Sequence, residues 1–140
     1  MKILLPVDGS EHSDRVTRHV IQLAKSCAEY EILLLNVQEP IDAPEVRGHM
    51  PAREIVAMQE TRGGDAMASA RALLDAADVA YAPEIILGPV AESIARIARE
   101  RQSDAIVMGS HGAGALVSAL MGSVAREVIH LAPCPVTVVK

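Results

Sequence analysis

The 140-residue chain has no phenylalanine and no tryptophan, and its only tyrosines are Tyr30 and Tyr81. Stacking on aromatic rings, the usual way to hold single-stranded nucleic acid or a flavin ring, is therefore largely closed to it. Surplus positive charge is missing too. A net charge of −5 argues against DNA or an anionic membrane as a partner through the field of the whole protein. No apolar run approaches membrane-spanning length. The first one, Ile3 to Val7, is shorter than a signal-peptide core and is cut off by Asp8, so a soluble, cytoplasmic protein is expected. The two cysteines, Cys27 and Cys134, lie far apart with no C-x-x-C neighbour. They support neither a disulfide framework nor a metal knuckle and are predicted to be small buried hydrophobes. Internal repeats, low-complexity tracts and linkers are absent, and one domain over residues 1–140 is the expectation.

Half of the residues are hydrophobic, so the core must be built from Ile, Leu, Val, Ala and Met, the palette of a parallel sheet covered on both faces. Short apolar runs alternate with helical patterns, which is the mark of βαβ units. The runs Ile3–Val7, Ile32–Val37, Pro83–Leu87, Ala105–Met108 and Val136–Val139 are predicted strands. Val16, Val20, Leu23, Ala24 and Cys27 fall on one helical stripe, with Ser10 or Ser13 as its cap. Further helices are predicted over 65–78, after Gly88-Pro89 with Val90, Ile94, Ile97 and Ala98 inward, and over 123–131. Between Glu39 and Gly64 the chain is irregular. Its first half carries Pro40, Pro44, Gly48 and Pro51, Arg53 to Arg62 can be helical, and Gly63-Gly64 is expected to interrupt that helix. This stretch is either a mobile flap over a site or a surface loop without a duty.

Right-handed crossovers with helices on both faces make such a chain wind outward from the middle of the sheet, reverse, and wind out the other way. The expected fold is a single-domain α/β structure: an open five-stranded parallel sheet of order 3-2-1-4-5. Strands one and four are then adjacent, and the crevice between their diverging carboxyl-end loops is where open α/β sheets bind ligands. The unusual residues fall there. Strand one ends in Pro6-Val7-Asp8-Gly9-Ser10, strand two offers Asn36-Val37, and strand four ends in Gly109-Ser110-His111-Gly112, followed after nine residues by Gly122-Ser123. Glycines at fixed offsets past a buried strand permit close backbone approach, and peptide N–H groups there, with the helix that starts at Ser123, would form an anion cradle needing no lysine.

Other phosphate motifs fail. Gly109 and Gly114 have Walker spacing, but Ala115 stands in the place of the lysine. A dinucleotide fingerprint would need glycine at Val117 and would normally follow the first strand. A receiver domain would want aspartate where Leu87-Gly88 ends strand three.

The pattern G-x2-G-x9-G-[ST], met by Gly109, Gly112, Gly122 and Ser123, resembles that of the nucleotide-binding branch of the universal stress protein family. The opening Ile3-Leu4-Leu5-Pro6-Val7-Asp8-Gly9-Ser10, the turn Met108-Gly109-Ser110-His111-Gly112 and the closing Ala132-Pro133-Cys134-Pro135-Val136 are also similar to that family. The resemblance implies a Rossmann-like fold of the adenine nucleotide alpha hydrolase-like kind. It further implies a site for ATP, ADP or AMP, with Mg²⁺ or Mn²⁺ on the phosphates, and a homodimer. By the same resemblance, Val37 would present backbone groups to the adenine edge, Pro6 and Val7 would line the base pocket, and Asp8 would accept hydrogen bonds from ribose hydroxyls. Gly109 and Gly112, within the Met108–Gly112 turn that includes Ser110 and His111, would let backbone close on ribose and phosphates. Gly122, Ser123 and Val124 would offer N–H groups to the terminal phosphates, with Ser123 a possible N-cap. A departure from the family is Ala113-Gly114-Ala115 after the second motif glycine, where relatives often carry a polar or basic residue. The triphosphate would then depend on peptide dipoles, a metal ion and whatever Arg47, Arg53 or Arg126 supply, so ADP and AMP stand beside ATP.

No residue is assigned a catalytic or metal-ligating role. Adjacent Ser110 and His111 in a tight turn are expected to point apart, which disfavours a hydrolase triad with Asp8. The expected function is a stress-response sensor or regulator that binds adenine nucleotide, with at most slow hydrolysis. The alternatives are a nucleotide-free dimeric interaction module and a flavodoxin-like electron carrier. Strand five, Val136–Val139, is expected at a sheet edge, where pairing with its symmetry mate would satisfy the open main-chain groups.

Overall fold

Nine elements alternate among the described residues: β1 (Lys2–Pro6), α1 (Glu11–Ser26), β2 (Glu31–Gln38), α2 (Ala52–Ala76), β3 (Ala82–Leu87), α3 (Val90–Glu100), β4 (Ala105–Gly109), α4 (Ser123–Leu131) and β5 (Val136–Val139). The computed structural model describes residues 1–40, 48, 50–112 and 121–140, so Arg47 and the Ala113-Gly114-Ala115 departure lie outside the described residues. The strands form one sheet of order β3-β2-β1-β4-β5 with every neighbouring pair parallel. That is the order expected from the winding rule, and it sets the carboxyl ends of β1 and β4 side by side.

Side chains of a strand alternate between faces, and the core divides accordingly. Ile3, Leu5, Ile32, Leu34 and Val107 point to one face, where α1 contributes Val16, Val20 and Ala24 and α2 contributes Met67, Ala70 and Leu74. Leu4, Leu35, Ile106 and Met108 point to the other, against Ile94, Ile97 and Ala98 of α3 and Ala125 and Val128 of α4. Both faces are thus buried under aliphatic side chains, which is why the strands read as unbroken apolar runs.

Helix α2 corrects the expectation of a break at Gly63-Gly64, because it runs without interruption through both. Each glycine costs about 1 kcal/mol in a helix interior, but Gly63 is required by packing. A Cβ there would lie 2.7 Å from Ile85 Cγ2, so the missing side chain is what lets α2 settle onto β3. A Cβ on Gly64 would meet nothing within 4 Å among the described residues, and nothing there explains this glycine. Burial of Met67, Ala70 and Leu74 along the same helix offsets the loss in propensity.

The cysteines correct a second expectation. Cys27 is exposed, since α1 ends at Ser26 and Cys27 leaves the inward stripe in extended conformation. Cys134 is half-buried against the second face of the core. Desolvation, and secondarily the Asp104 carboxylate, push its thiol above the ordinary cysteine value.

Two helices end in the same way. After α2, Asp78 adopts a left-handed φ of 56°, with its N–H donating to Asp75 O at 3.1 Å and that of Val79 to Leu74 O at 3.0 Å. After α3, Gln102 does so at φ 54°, with its N–H donating to Arg99 O at 3.2 Å and that of Ser103 to Ala98 O at 2.9 Å. These are Schellman closures, in which glycine is the unstrained residue. Gln102→Gly is therefore expected to stabilise the protein by about 0.5–1 kcal/mol, read as a higher urea midpoint at unchanged slope. A lower midpoint would show that chain entropy outweighs the relief of strain.

Candidate functional site

The loop leaving β1 is built around one carboxylate. Asp8 Oδ1 accepts hydrogen bonds from the Ser10 N–H and the Ser13 hydroxyl, both at 2.9 Å, while the Asp8 N–H donates to Ser13 Oγ at 3.0 Å. Ser10 occupies the N-cap position of α1 but makes no side-chain cap bond, and its hydroxyl is buried without a hydrogen-bond partner among the described residues. The first turn of α1 is instead tied to the strand through Asp8 and Ser13. Gly9 bends the chain at φ +84°, and a Cβ on it would meet Ala66 Cα of α2 at 3.1 Å. Buried Asn36 fixes the strand end from β2, since its Nδ2 donates to Val7 O at 2.8 Å and its Oδ1 accepts from Gln38 Nε2 at 2.7 Å.

The two halves of the glycine motif lie against each other. The Gly122 N–H donates to Ser110 O at 2.7 Å, so it is engaged within the protein rather than offered outward. A Cβ on Gly122 would meet Ser110 O at 3.2 Å and His111 Cα at 3.3 Å. One on Gly112 would meet Asp8 Oδ2 at 2.7 Å, which places that carboxylate beside the turn after β4. The direction of a Gly109 side chain is filled by α1, with His12 Cβ at 3.2 Å and Val16 Cγ2 at 3.5 Å. The Ser110 N–H donates to Val139 O at 2.9 Å, tying the turn to β5. Ser110 and His111 do not point apart as expected, because Ser110 Oγ lies 2.9 Å from His111 Nδ1. The backbone holds Ser110 buried, and the His111 ring turns back over it to within 5.7 Å of the His12 ring centroid.

Gly122 is the N-cap of α4 and Ser123 its first helical residue, so Ser123 is not the cap. The first intrahelical bond runs from the Arg126 N–H to Gly122 O at 3.2 Å. With the Gly122 N–H taken by Ser110, the amides of Ser123, Val124 and Ala125 are the donors of this helix start that have no partner among the described residues. No acidic residue stands in its first turn, which leaves the positive end of the helix dipole uncompensated.

Twelve residues named in the sequence as candidates border one crevice of about 240 Å³: Pro6, Val7, Asp8, Val37, Met108, Gly109, Ser110, His111, Gly112, Gly122, Ser123 and Val124. Four others line it that the sequence did not mark as site residues: Ser13, Val90, Ile94 and Ala125. Val90 and Ile94 were placed in the core, yet they belong to the first turns of a helix that begins at this same edge of the sheet. Helix position was the signal that could have found them. The described lining holds no lysine or arginine. Val37, Val90, Ile94 and Met108 make an apolar slot, Asp8 supplies a fixed acceptor, and the start of α4 supplies main-chain donors. Such a crevice suits a molecule joining a flat, weakly polar ring to hydroxyls and an anionic end.

The profile described as the universal stress protein family matches residues 1–140. Universal stress protein MJ0531 of Methanocaldococcus jannaschii is 32% identical over 141 residues, covering 99% of this chain and 81% of its own. Among solved structures, MJ0577 of the same organism shares 32% identity at a TM-score of 0.82, covering 99% of this chain and 94% of that one. A universal stress protein family protein of Arabidopsis thaliana, solved with AMP bound, shares the fold at a TM-score of 0.71 and 19% identity, covering 100% of this chain and 91% of that one. From its first residue to its last, the chain belongs to the universal stress protein family.

Proposed function

We propose that the crevice binds an adenine nucleotide and that the protein serves in the cytoplasm as a stress-response sensor or regulator. The observation that carries this reading is the placement of Asp8 and the first amides of α4 across one apolar slot. Adenine lies between Val37 and the Pro6–Val7 wall, ribose hydroxyls donate to Asp8, and phosphates meet the Ser123 and Val124 amides and the Ser123 hydroxyl. A carboxylate suits the sugar and repels bare phosphate, so its distance from α4 separates the two ends of the ligand. The AMP carried by the Arabidopsis relative is in keeping with this class of ligand.

Mg²⁺ or Mn²⁺ would arrive on the phosphates. Among the described residues no group of three or more His, Cys, Asp or Glu side chains is arranged to hold a metal, so phosphate oxygens and water would be its main ligands. Arg53 and Arg126 are exposed and do not line the crevice. Isothermal titration of nucleotide-stripped protein with ATP·Mg²⁺ and with AMP tests the reading. Saturable heat with either is expected, whereas none with both would favour a nucleotide-free interaction module.

The same reading includes a homodimer through β5. This strand is a sheet edge. The Val139 and Pro135 carbonyls face β4, accepting from Ser110 and Ile106, so by alternation the main-chain groups of Val136 and Val138 face outward. Val138→Lys is expected to shift sedimentation toward the monomer. An unchanged dimer mass would assign assembly to another surface.

A further inference from the structure

Asn36 breaks the apolar pattern of β2. By alternation it shares a face with Ile32 and Leu34, the face covered by α1 and α2, yet it is an amide at 2% exposure. Its carboxamide is held from both ends. The Nδ2 donates to Val7 O at 2.8 Å and the Oδ1 accepts from Gln38 Nε2 at 2.7 Å. A carbonyl can only accept, so the NH₂ group is the one that faces Val7.

The bond to Val7 falls where a ladder bond is due. In a parallel pair, the N–H and C=O of one residue go to two residues of the neighbouring strand that stand two apart. The Val7 N–H donates to Leu35 O at 2.9 Å, so a continued ladder would bring the Val37 N–H to Val7 O. The pairing of β1 with β2 ends instead at Pro6 opposite Leu35, and the Val37 N–H makes no main-chain hydrogen bond among the described residues. On the other side of β2, the Gly88 N–H donates to Gln38 O at 3.0 Å, so by alternation Val37 turns its N–H and C=O away from β3. They point past the end of β1, and Val37 lines the crevice there.

We propose that Asn36 is a positioning residue for base recognition: by occupying Val7 O it stops the ladder one step early and keeps the Val37 N–H open for a ring nitrogen of the purine. The inference rests on the nucleotide reading of the crevice. With the C=O of the same residue accepting from the 6-amino group, Val37 presents a donor and an acceptor side by side. That is the complement of an adenine edge, which carries an amino donor next to a ring-nitrogen acceptor. Guanine and hypoxanthine carry an oxo acceptor in place of the amino group, and it would face the Val37 C=O. Gln38 fixes the orientation of the Asn36 amide.

1-Deaza-AMP and 7-deaza-AMP each replace one ring nitrogen beside the amino group by C–H. One of the two is expected to bind wild-type protein about 10- to 100-fold more weakly than AMP, the effect of leaving a buried donor unpaired. Asn36→Leu is expected to weaken AMP binding about tenfold or more and to bind AMP and both analogues alike. Without nucleotide, its Val37 amide should exchange hydrogen about tenfold or more slowly, because that N–H now closes on Val7 O. Asn36→Thr, a strand former too short to reach Val7, supplies the same readouts should the leucine variant not fold, and native circular dichroism is required of either. Unchanged Val37 exchange, or unchanged discrimination in a folded variant, would overturn the role of Asn36 while leaving nucleotide binding in place. Equal binding of AMP and both analogues by wild-type protein would do the same. Wild-type protein that binds no AMP contradicts the nucleotide reading itself, and the inference falls with it.

Discussion

Valine in place of Gly122 is expected to cost about 1–3 kcal/mol of stability and to abolish nucleotide binding at the same time. The sequence alone predicts a narrower effect, a branched side chain standing where phosphate would be while the fold stays intact. The geometry differs, because a Cβ at this position already meets Ser110 O at 3.2 Å and His111 Cα at 3.3 Å. The γ-carbons of valine would have to push the turn after β4 away from α4, breaking the 2.7 Å bond from the Gly122 N–H to Ser110 O. Helix α4 then loses its registration against the crevice, and its first amides no longer aim at one point. Urea unfolding and isothermal titration on the same preparation check this. Lost binding at native stability would show that the side chain enters open space instead.

Asp8→Asn is expected to lower affinity for AMP or ATP by about 10- to 100-fold, the worth of a hydrogen bond to a charged acceptor, while leaving stability within about 0.5 kcal/mol. Asparagine retains an Oδ1 for the Ser10 N–H and the Ser13 hydroxyl, so the start of α1 stays tied to β1. What changes is the other oxygen, which lies where Gly112 leaves room for it. A 2′,3′-dideoxyadenosine nucleotide completes a double-difference cycle. Wild-type protein should discriminate against it by the factor lost in the variant, and the variant should not discriminate. Equal affinity of both proteins for the ribonucleotide would remove Asp8 from sugar recognition.

Strand order and the location of the crevice were legible because they follow from rules of connection. Alternating apolar runs and helical stripes leave few right-handed ways to wind a five-stranded sheet, and the order 3-2-1-4-5 puts β1 beside β4. Individual glycines were harder to read, because a glycine states that space is missing without saying what fills it. Gly109 gives way to His12 and Val16 of α1, Gly63 to Ile85 of β3, and Gly122 to the Ser110 carbonyl. Each filler comes from a distant element, beyond the reach of local spacing. The continuity of α2 escaped notice for the same reason, since its support is tertiary. Contact between Ser110 and His111 escaped because it depends on how the turn is tied to β5 and α4. The burial of Gln59, which stands between Met58 and Glu60, had no signal in sequence.

The central claim, that the Ser123 and Val124 amides hold the phosphate of an adenylate, is tested most directly by comparing AMP with adenosine in ¹⁵N amide spectra of the nucleotide-stripped protein. Phosphate-dependent downfield shifts at Ser123 and Val124, present with AMP and absent with adenosine, are the expected result. Identical patterns with the two ligands, or AMP shifts that spare the start of α4, would contradict it.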